Sequence, residues 1–341
     1  MPHFPVSITS KWGCLTAALL SLGACGGGAG GSQIASIPAP PAPPASATPP
    51  PPLQPAHIGL VSASPFITLG IGDTYSANSN GGGELPLTGP DRSQSVQFTY
   101  VPSSDTYQIS LPNFETGKLV TQGLNGSSGQ VATGTFNKVT LGSSQTLQSV
   151  GVNLPVPGSN QSPYNYTSFA SWAGSLGQVS GRNTFSEGYF AYGIPTKTGD
   201  VPITGTGTYN AQILGSSGRG EYFSIEGDVS MSFDFAAGTL SGAMHPVINY
   251  NGFDTNLDFG KYDFTQTIYS RGATNFSGAF IVPGMPEGTS QSFFEGAFTG
   301  PGAAELLARF QAPYLLNGQT GMLSGVWIGK NSNSVPVSVS H

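Results

Sequence analysis

Four stretches of this 341-residue chain repeat one local pattern: a large apolar residue, a polar one, glycine, a small one, then a second large apolar residue. They are Leu240-Ser241-Gly242-Ala243-Met244, Phe276-Ser277-Gly278-Ala279-Phe280, Phe294-Glu295-Gly296-Ala297-Phe298 and Leu323-Ser324-Gly325-Val326-Trp327. Phe185-Ser186-Glu187-Gly188-Tyr189-Phe190 is a looser copy. In a strand the first, third and fifth residues share a face, so that face reads large, glycine, large. Glycine inside a strand weakens it unless it serves curvature or close approach. Recurring in strand after strand, it predicts a tightly curved sheet whose inner residues alternate in size. The reading is all-β, with a small closed antiparallel barrel of about eight strands at the C-terminal end. A sandwich with glycine at its bulges is the alternative.

Composition agrees. Gly (49) and Pro (28) oppose long helices. Charged residues are 8% of the chain, against ~25% in ordinary soluble domains, so Ser, Thr, Asn and Gln must carry solubility, as in secreted β-rich proteins. A net charge of −6 and a pI near 5.1 supply no basic patch and exclude nucleic acid as a partner. After the leader, no segment approaches the ~20 apolar residues of a membrane helix. One helical turn or two is predicted at Ala303–Arg309, after Gly300-Pro301, with Glu305 and Arg309 as a surface pair at i, i+4.

Residues 1–24 read as an export signal: Lys11 is its positive charge and Cys14–Leu20 its short apolar run. Leu22-Gly23-Ala24-Cys25 resembles the lipobox of bacterial lipoprotein precursors, whose cysteine thiol takes a diacylglyceryl group. An ordinary signal cleaved after Ala24 is the alternative. Several acyl chains at ~0.8 kcal/mol per buried CH₂ make such an anchor durable. Residues 25–56 follow as lipid anchor and disordered Gly/Pro-rich linker. Pro38–Pro44 and Pro49–Pro52 favour polyproline II, and about 20 such residues reach roughly 60 Å. The linker reads as a spacer, with a PxxP partner site as the other reading. Cys14 leaves with the signal and Cys25 is consumed by lipid, so no disulfide remains to stabilise the fold.

Folded sequence begins near His57. Pro155, Pro157, Gly158 and Pro163 break the apolar pattern across 153–165, which divides a β-rich module (57–160) from a barrel module (161–331). Residues 332–341 form a polar tail, unlike a terminal membrane strand, which disfavours a transmembrane barrel. In the first module, Ser95–Val101 and Thr106–Leu111 alternate about a Pro-Ser-Ser-Asp turn and predict a hairpin.

Several segments of 164–330, in order, resemble the barrel domain of the transferrin-binding protein B-like β-barrel surface lipoproteins. Tyr166–Trp172 resembles that family's first barrel strand, and Phe190-Ala191-Tyr192-Gly193-Ile194-Pro195-Thr196 its aromatic-x-x-Gly-x-Pro-Thr segment. Val201–Tyr209 resembles the next strand. Phe233–Gly242 is similar to an Asp-Phe-Gly-x-Gly-Thr-Leu-Ser-Gly hairpin, with Ala236 in place of the first glycine. Phe294–Pro301 with Ala304-Glu305-Leu306 resembles the near-terminal Gly-x-Phe-x-Gly-Pro-x-Ala-x-Glu-Leu motif. The resemblance implies one handle-like module (57–160) and one barrel, lipid-anchored to the outer membrane and exposed at the cell surface. The resemblance does not transfer the ligand; the functional reading is a surface lipoprotein that binds a protein or small solute in iron or haem acquisition, with a host or environmental iron-carrier protein or haem and a TonB-dependent receptor as partners. A structural or adhesive surface lipoprotein with no small-molecule ligand is the alternative function.

Catalytic motifs are missing. The chain has no Gly-x-Ser-x-Gly elbow, no His-Glu-x-x-His and no phosphate loop ending in Lys, and is read as a non-enzyme. Asp254–Gly260 hints at a calcium loop, but its glycine falls one place late and Thr265 stands where Glu is needed, so a polar turn is the plainer reading. Only His57, His245 and His341 outlast export. His245, before Pro246, is placed at a barrel rim, where Tyr250 and Phe253 would flank a planar ligand. His245 and Tyr250 are thus the candidate haem-binding residues, against a rim histidine merely hydrogen-bonded in its loop. Trp172, Trp327 and the repeat phenylalanines are assigned to the core.

Overall fold

The computed structural model describes residues 59–78, 85–86, 92–114, 117–120, 132–135, 145–154, 163–179, 181–217, 224–248, 257–286, 291–316 and 318–332. All belong to the unit Leu53–His341. Cys25, the leader and linker, Tyr250, Phe253, residues 155–162 with their module boundary, and the tail beyond Ser332 lie outside the described residues.

The strands are β1 (Ile67–Asn78), β2 (Leu85–Pro86), β3 (Ser93–Gln94), β4 (Gln97–Val101), β5 (Thr106–Ser110), β6 (Gly117–Val120), β7 (Ala132–Thr135), β8 (Thr146–Leu154), β9 (Thr167–Val179) and β10 (Arg182–Gly193). They continue with β11 (Thr206–Ser216), β12 (Ser224–Asp234), β13 (Thr239–Ile248), β14 (Leu257–Asp258), β15 (Tyr262–Ile268), β16 (Asn275–Ile281), β17 (Phe293–Thr299), β18 (Glu305–Leu316) and β19 (Gln319–Asn331). All pairings are antiparallel.

The C-terminal strands close into the expected barrel. Its order is β11-β12-β13-β15-β16-β17-β18-β19, and β19 returns to β11 from Tyr209↔Asn331 to Ser216↔Ser324. The β12–β13 pairing removes the free edges that a sandwich would keep. In the β12–β13 hairpin, the Asp234 carboxylate accepts from the N–H groups of Ala236 (3.0 Å) and Ala237 (2.8 Å). Gly238 supplies the left-handed residue that turns the chain back (φ 69°).

The repeated pattern works as its periodicity requires. Phe276, Phe280, Phe294, Phe298, Leu323 and Trp327 all lie in the barrel core. Across β16–β17, Phe276 stands opposite Gly296 and Gly278 opposite Phe294. Each ring covers the opposing glycine, and a Cβ on either glycine would overlap it. Small residues thus make room for large ones inside the barrel wall. Along β12 the outer face is polar: Glu226, Asp228, Ser230 and Ser232 are exposed while Ile225, Val229, Met231 and Phe233 face inward. A barrel spanning lipid has the opposite arrangement.

The remaining strands form a seven-stranded sheet, β2-β1-β10-β9-β8-β7 with β3 on β1, and a separate three-stranded sheet, β4-β5-β6. The expected hairpin is β4–β5, closed at Val101↔Thr106. The seven-stranded sheet is buried on both faces. Trp172, Phe190 and Tyr192 pack with Phe98 and Tyr107 of the three-stranded sheet. Ile71, Phe169, Tyr189 and Ala191 pack on Leu307, Val326 and Ile328 of the barrel wall.

Three sequence expectations are corrected. Tyr166–Trp172 and Phe190–Gly193 do not enter the barrel: β9 and β10 pair with each other and with β8 and β1. Ala303–Arg309 is not a helix: after a 3₁₀ turn at Pro301–Ala303, β18 starts at Glu305. In β18 Leu306, Ala308 and Phe310 fill the barrel while Leu307 packs under the first sheet. A strand buried on both faces shows no period-two alternation, and Ala and Leu then read as helix formers. Glu305 and Arg309 are not a surface pair: Glu305 is 1% exposed and Arg309 pairs with Glu295 on β17.

Candidate functional site

Three of the motif segments converge where the sheet meets the barrel. The Ile194 N–H donates to the Tyr166 carbonyl (2.9 Å), the Gly300 N–H to Ile194 (2.9 Å) and the Thr196 N–H to Phe298 (3.1 Å). The Thr196 hydroxyl donates to the Gly300 carbonyl at 2.7 Å, Pro195 bridges to Thr299, and the Thr167 and Thr299 hydroxyls are bonded. The Glu305 carboxylate completes the set, accepting from the N–H groups of Asn165 (2.7 Å) and Tyr166 (2.9 Å). Burial pushes the Glu305 carboxyl up, against those two N–H groups, which pull it down. The Tyr164 hydroxyl donates to the Ile328 carbonyl at 3.1 Å. Burial, helped by Glu305 and Asp228, pushes it up to about 12. Two carboxylate oxygens that each accept a backbone N–H, and a phenol bonded to a carbonyl, fasten the strands here. These family-like motifs encode a joint.

A second polar clamp grips the opposite end of the same contact. Arg92 pairs with Asp73 at 3.2 Å, its N–H donates to the Gln311 side chain at 3.1 Å, and its guanidinium reaches the Ser324 hydroxyl at 3.4 Å. Arg309, paired with Glu295, donates to the Gly70 carbonyl of β1 at 2.8 Å.

His245 lies inside β13, not at a rim loop, because β13 continues through Pro246 to Ile248. Gly227, which needs no side-chain space, stands opposite Pro246. The His245 side chain is 52% exposed on the outer wall and meets Asp258 at 2.7 Å. The N–H of Gly260, then His245, hold the Asp258 carboxyl below its usual value. Within the Asp254–Gly260 stretch the one described carboxylate is therefore already engaged, by His245 and by Gly260 at 2.7 Å. The flanking Tyr250 falls outside the described residues, so nothing here brings it to His245. Of the described residues, Asp258 is bonded to the imidazole and Asp228 is its cross-strand partner. Among the described residues no group of three or more His, Cys, Asp or Glu side chains is placed to hold a metal ion.

The barrel interior is filled. Phe233 and Phe298 have ring centroids 4.9 Å apart, Phe264 and Phe294 4.4 Å, and Phe310 and Trp327 5.5 Å. Trp172 and Trp327 are both core residues, as expected. No described helix is long and apolar enough to cross a membrane. Sequence reasoning passed over Glu226 and Asp228, although alternation in β12 turns both outward; that periodicity was the available signal.

No family model matches the chain, and no curated protein matches it. Solved structures do. A double mutant of Transferrin Binding Protein B from Haemophilus parasuis Hp5 matches at 14% identity and TM-score 0.34, over 78% of this chain and 45% of that one. Intact Ap-TbpB, with N and C lobes, matches at 17% identity and TM-score 0.38, over 76% and 46%. A structure described as a surface lipoprotein matches at 13% identity and TM-score 0.31, over 80% of this chain and 100% of that one. The chain spans less than half the length of these transferrin-binding structures. They are of the kind that the sequence motifs resemble.

Proposed function

We propose that the protein is a non-enzymatic lipoprotein, tethered through Cys25, that binds a protein partner on its outer surface. The filled barrel carries the choice of partner. Barrels that hold a small ligand keep the interior open, whereas Phe233, Phe294, Phe298 and Trp327 occupy it here. Recognition then falls on the outer wall and its loops. The lipobox-like run before Cys25 and the Gly/Pro-rich stretch after it support the tether. Position on the outer membrane surface, capture of an iron-carrier protein and transfer to a TonB-dependent receptor are finer parts of the same proposal, drawn from the motif resemblance.

A photo-crosslinking amino acid at outward positions Asp228 and Ser232 should trap protein adducts on intact cells. No adduct at either, together with a small molecule retained by the purified protein in native mass spectrometry, sinks the reading. Cys25→Ala should release the protein in soluble form. The haem reading is tested separately: a Soret shift on haem titration, abolished by His245→Ala, would install a small-molecule function. Adducts confined to the cell's own envelope components would favour the structural or adhesive alternative.

A further inference from the structure

The contact between sheet and barrel is not sealed along its β9 side. A groove of about 370 Å³ opens there between Phe169 of β9 and the barrel wall. Of its apolar lining, Phe169 and Leu214 are half-buried and offer surface, while Val326 and Ile328 are buried beneath the sheet. Its far lip is β12, where Glu226 and Asp228 stand two residues apart on the outward face, both exposed. Neither carboxylate has a basic partner among the described residues, and no Lys or Arg lines the groove. The nearby histidine, His245, is bonded to Asp258. The other cation–anion pairs of the contact, Arg92–Asp73 and Arg309–Glu295, involve none of the groove's lining residues.

Apolar surface on Phe169 and Leu214, beside two carboxylates with no Lys or Arg partner among the described residues, is complementary to one kind of side chain above others. Lys and Arg lay apolar stems along apolar surface and keep the charged head at its edge. We propose that this groove receives a basic amphipathic segment of the protein partner. Its aliphatic stems lie on Phe169 and Leu214, and its cationic heads meet Glu226 and Asp228. The inference rests on the protein-binding reading above and names a surface for it. An acidic wall also attracts a basic partner before contact, and added salt weakens that attraction.

The test uses a fluorescent hexapeptide alternating Arg and Leu, titrated into the purified protein and followed by anisotropy, with backbone amide shifts to locate it. Saturable binding is expected, with shifts clustered at β9, β11 and β12. Glu226→Gln with Asp228→Asn should weaken it about tenfold, and Phe169→Ser should weaken it without changing its salt dependence. A peptide alternating Glu and Leu should not bind. Both charge substitutions lie at exposed positions, so an unchanged unfolding curve shows that the fold survives them. Equal affinity of the charge variant, shifts that map elsewhere, or no binding of the Arg peptide overturns the groove. Crosslinked partners trapped from the outer surface would then still support the protein-binding reading, so the two fail separately.

Discussion

The barrel and the seven-stranded sheet solve the same problem differently. The barrel has one inside, and its wall strands bury an aromatic–glycine–aromatic face while keeping most of the other face polar. The sheet has two buried faces, one against the three-stranded sheet and one against the barrel. The barrel carries its own enclosed core. The sheet depends on neighbours on both sides, and the end of β10 is buried over Phe190–Gly193 without a break. Period-two patterning therefore reports strands with one solvated face, such as β12, faithfully, and strands covered on both faces, such as β18, poorly.

Export would remove Trp12 and leave Trp172 in the sheet and Trp327 in the barrel as natural reporters. The largest expected effect is at the barrel core: Phe298→Ala should cost about 3–5 kcal/mol in urea unfolding. If the Trp172 signal then moves with that of Trp327, sheet and barrel unfold together; if it stays put, they are independent.

Next is Gly296→Ala, whose methyl group would overlap the Phe276 ring and should cost about 1–3 kcal/mol. Phe276→Leu in the same chain should recover part of that loss. A strictly additive double variant would show that ring and glycine do not interlock.

Glu305→Ala strands two N–H groups at the joint and should cost a similar or smaller amount, about 1–3 kcal/mol. It is the variant expected to separate the two tryptophan transitions. Glu305→Gln tests the charge. Burial raises the folded-state value of this carboxyl, so the folded chain holds more protons than the unfolded one between the two values. The contribution is full below the unfolded value of about 4.3 and declines as pH rises through the folded value. Wild-type stability minus that of the Gln variant should fall with rising pH across that window and then level off. A difference that rises contradicts the assignment.

The smallest effect belongs to His245→Ala. The pair with Asp258 is exposed on both sides, and the change should stay within about 0.5 kcal/mol. A larger loss would mean that the outer wall shares the sensitivity of the core.

What was legible follows the same division. The large–glycine–large face and the Asp234–Thr239 hairpin are local, and both could be read in advance. The strand at Glu305–Leu316 was hidden because both its faces are covered. The joint was hidden because Glu305 meets Asn165 and Tyr166 some 140 residues earlier in the chain, while Arg309 four residues on offers a false local partner. The β9 and β10 motifs were visible as motifs but not as parts of a sheet, because their service is to the joint that the barrel shares. Of the outer wall, His245 drew notice as a rare residue, whereas Glu226 and Asp228 looked like ordinary solvated charges until the groove stood beside them.

The joint also sets how the molecule carries load. Leu60, near the start of the described chain, is held under the three-stranded sheet by the Tyr107 hydroxyl at 3.0 Å. A pull from that end, resisted by anything gripping the barrel, must cross the sheet and then the joint. There the Glu305 and Arg92 clamps sit at opposite ends of the apolar contact and share the force side by side. Such a fastening resists sliding far better than peeling, so under tension the protein should hold until both clamps yield together, and then part in one step.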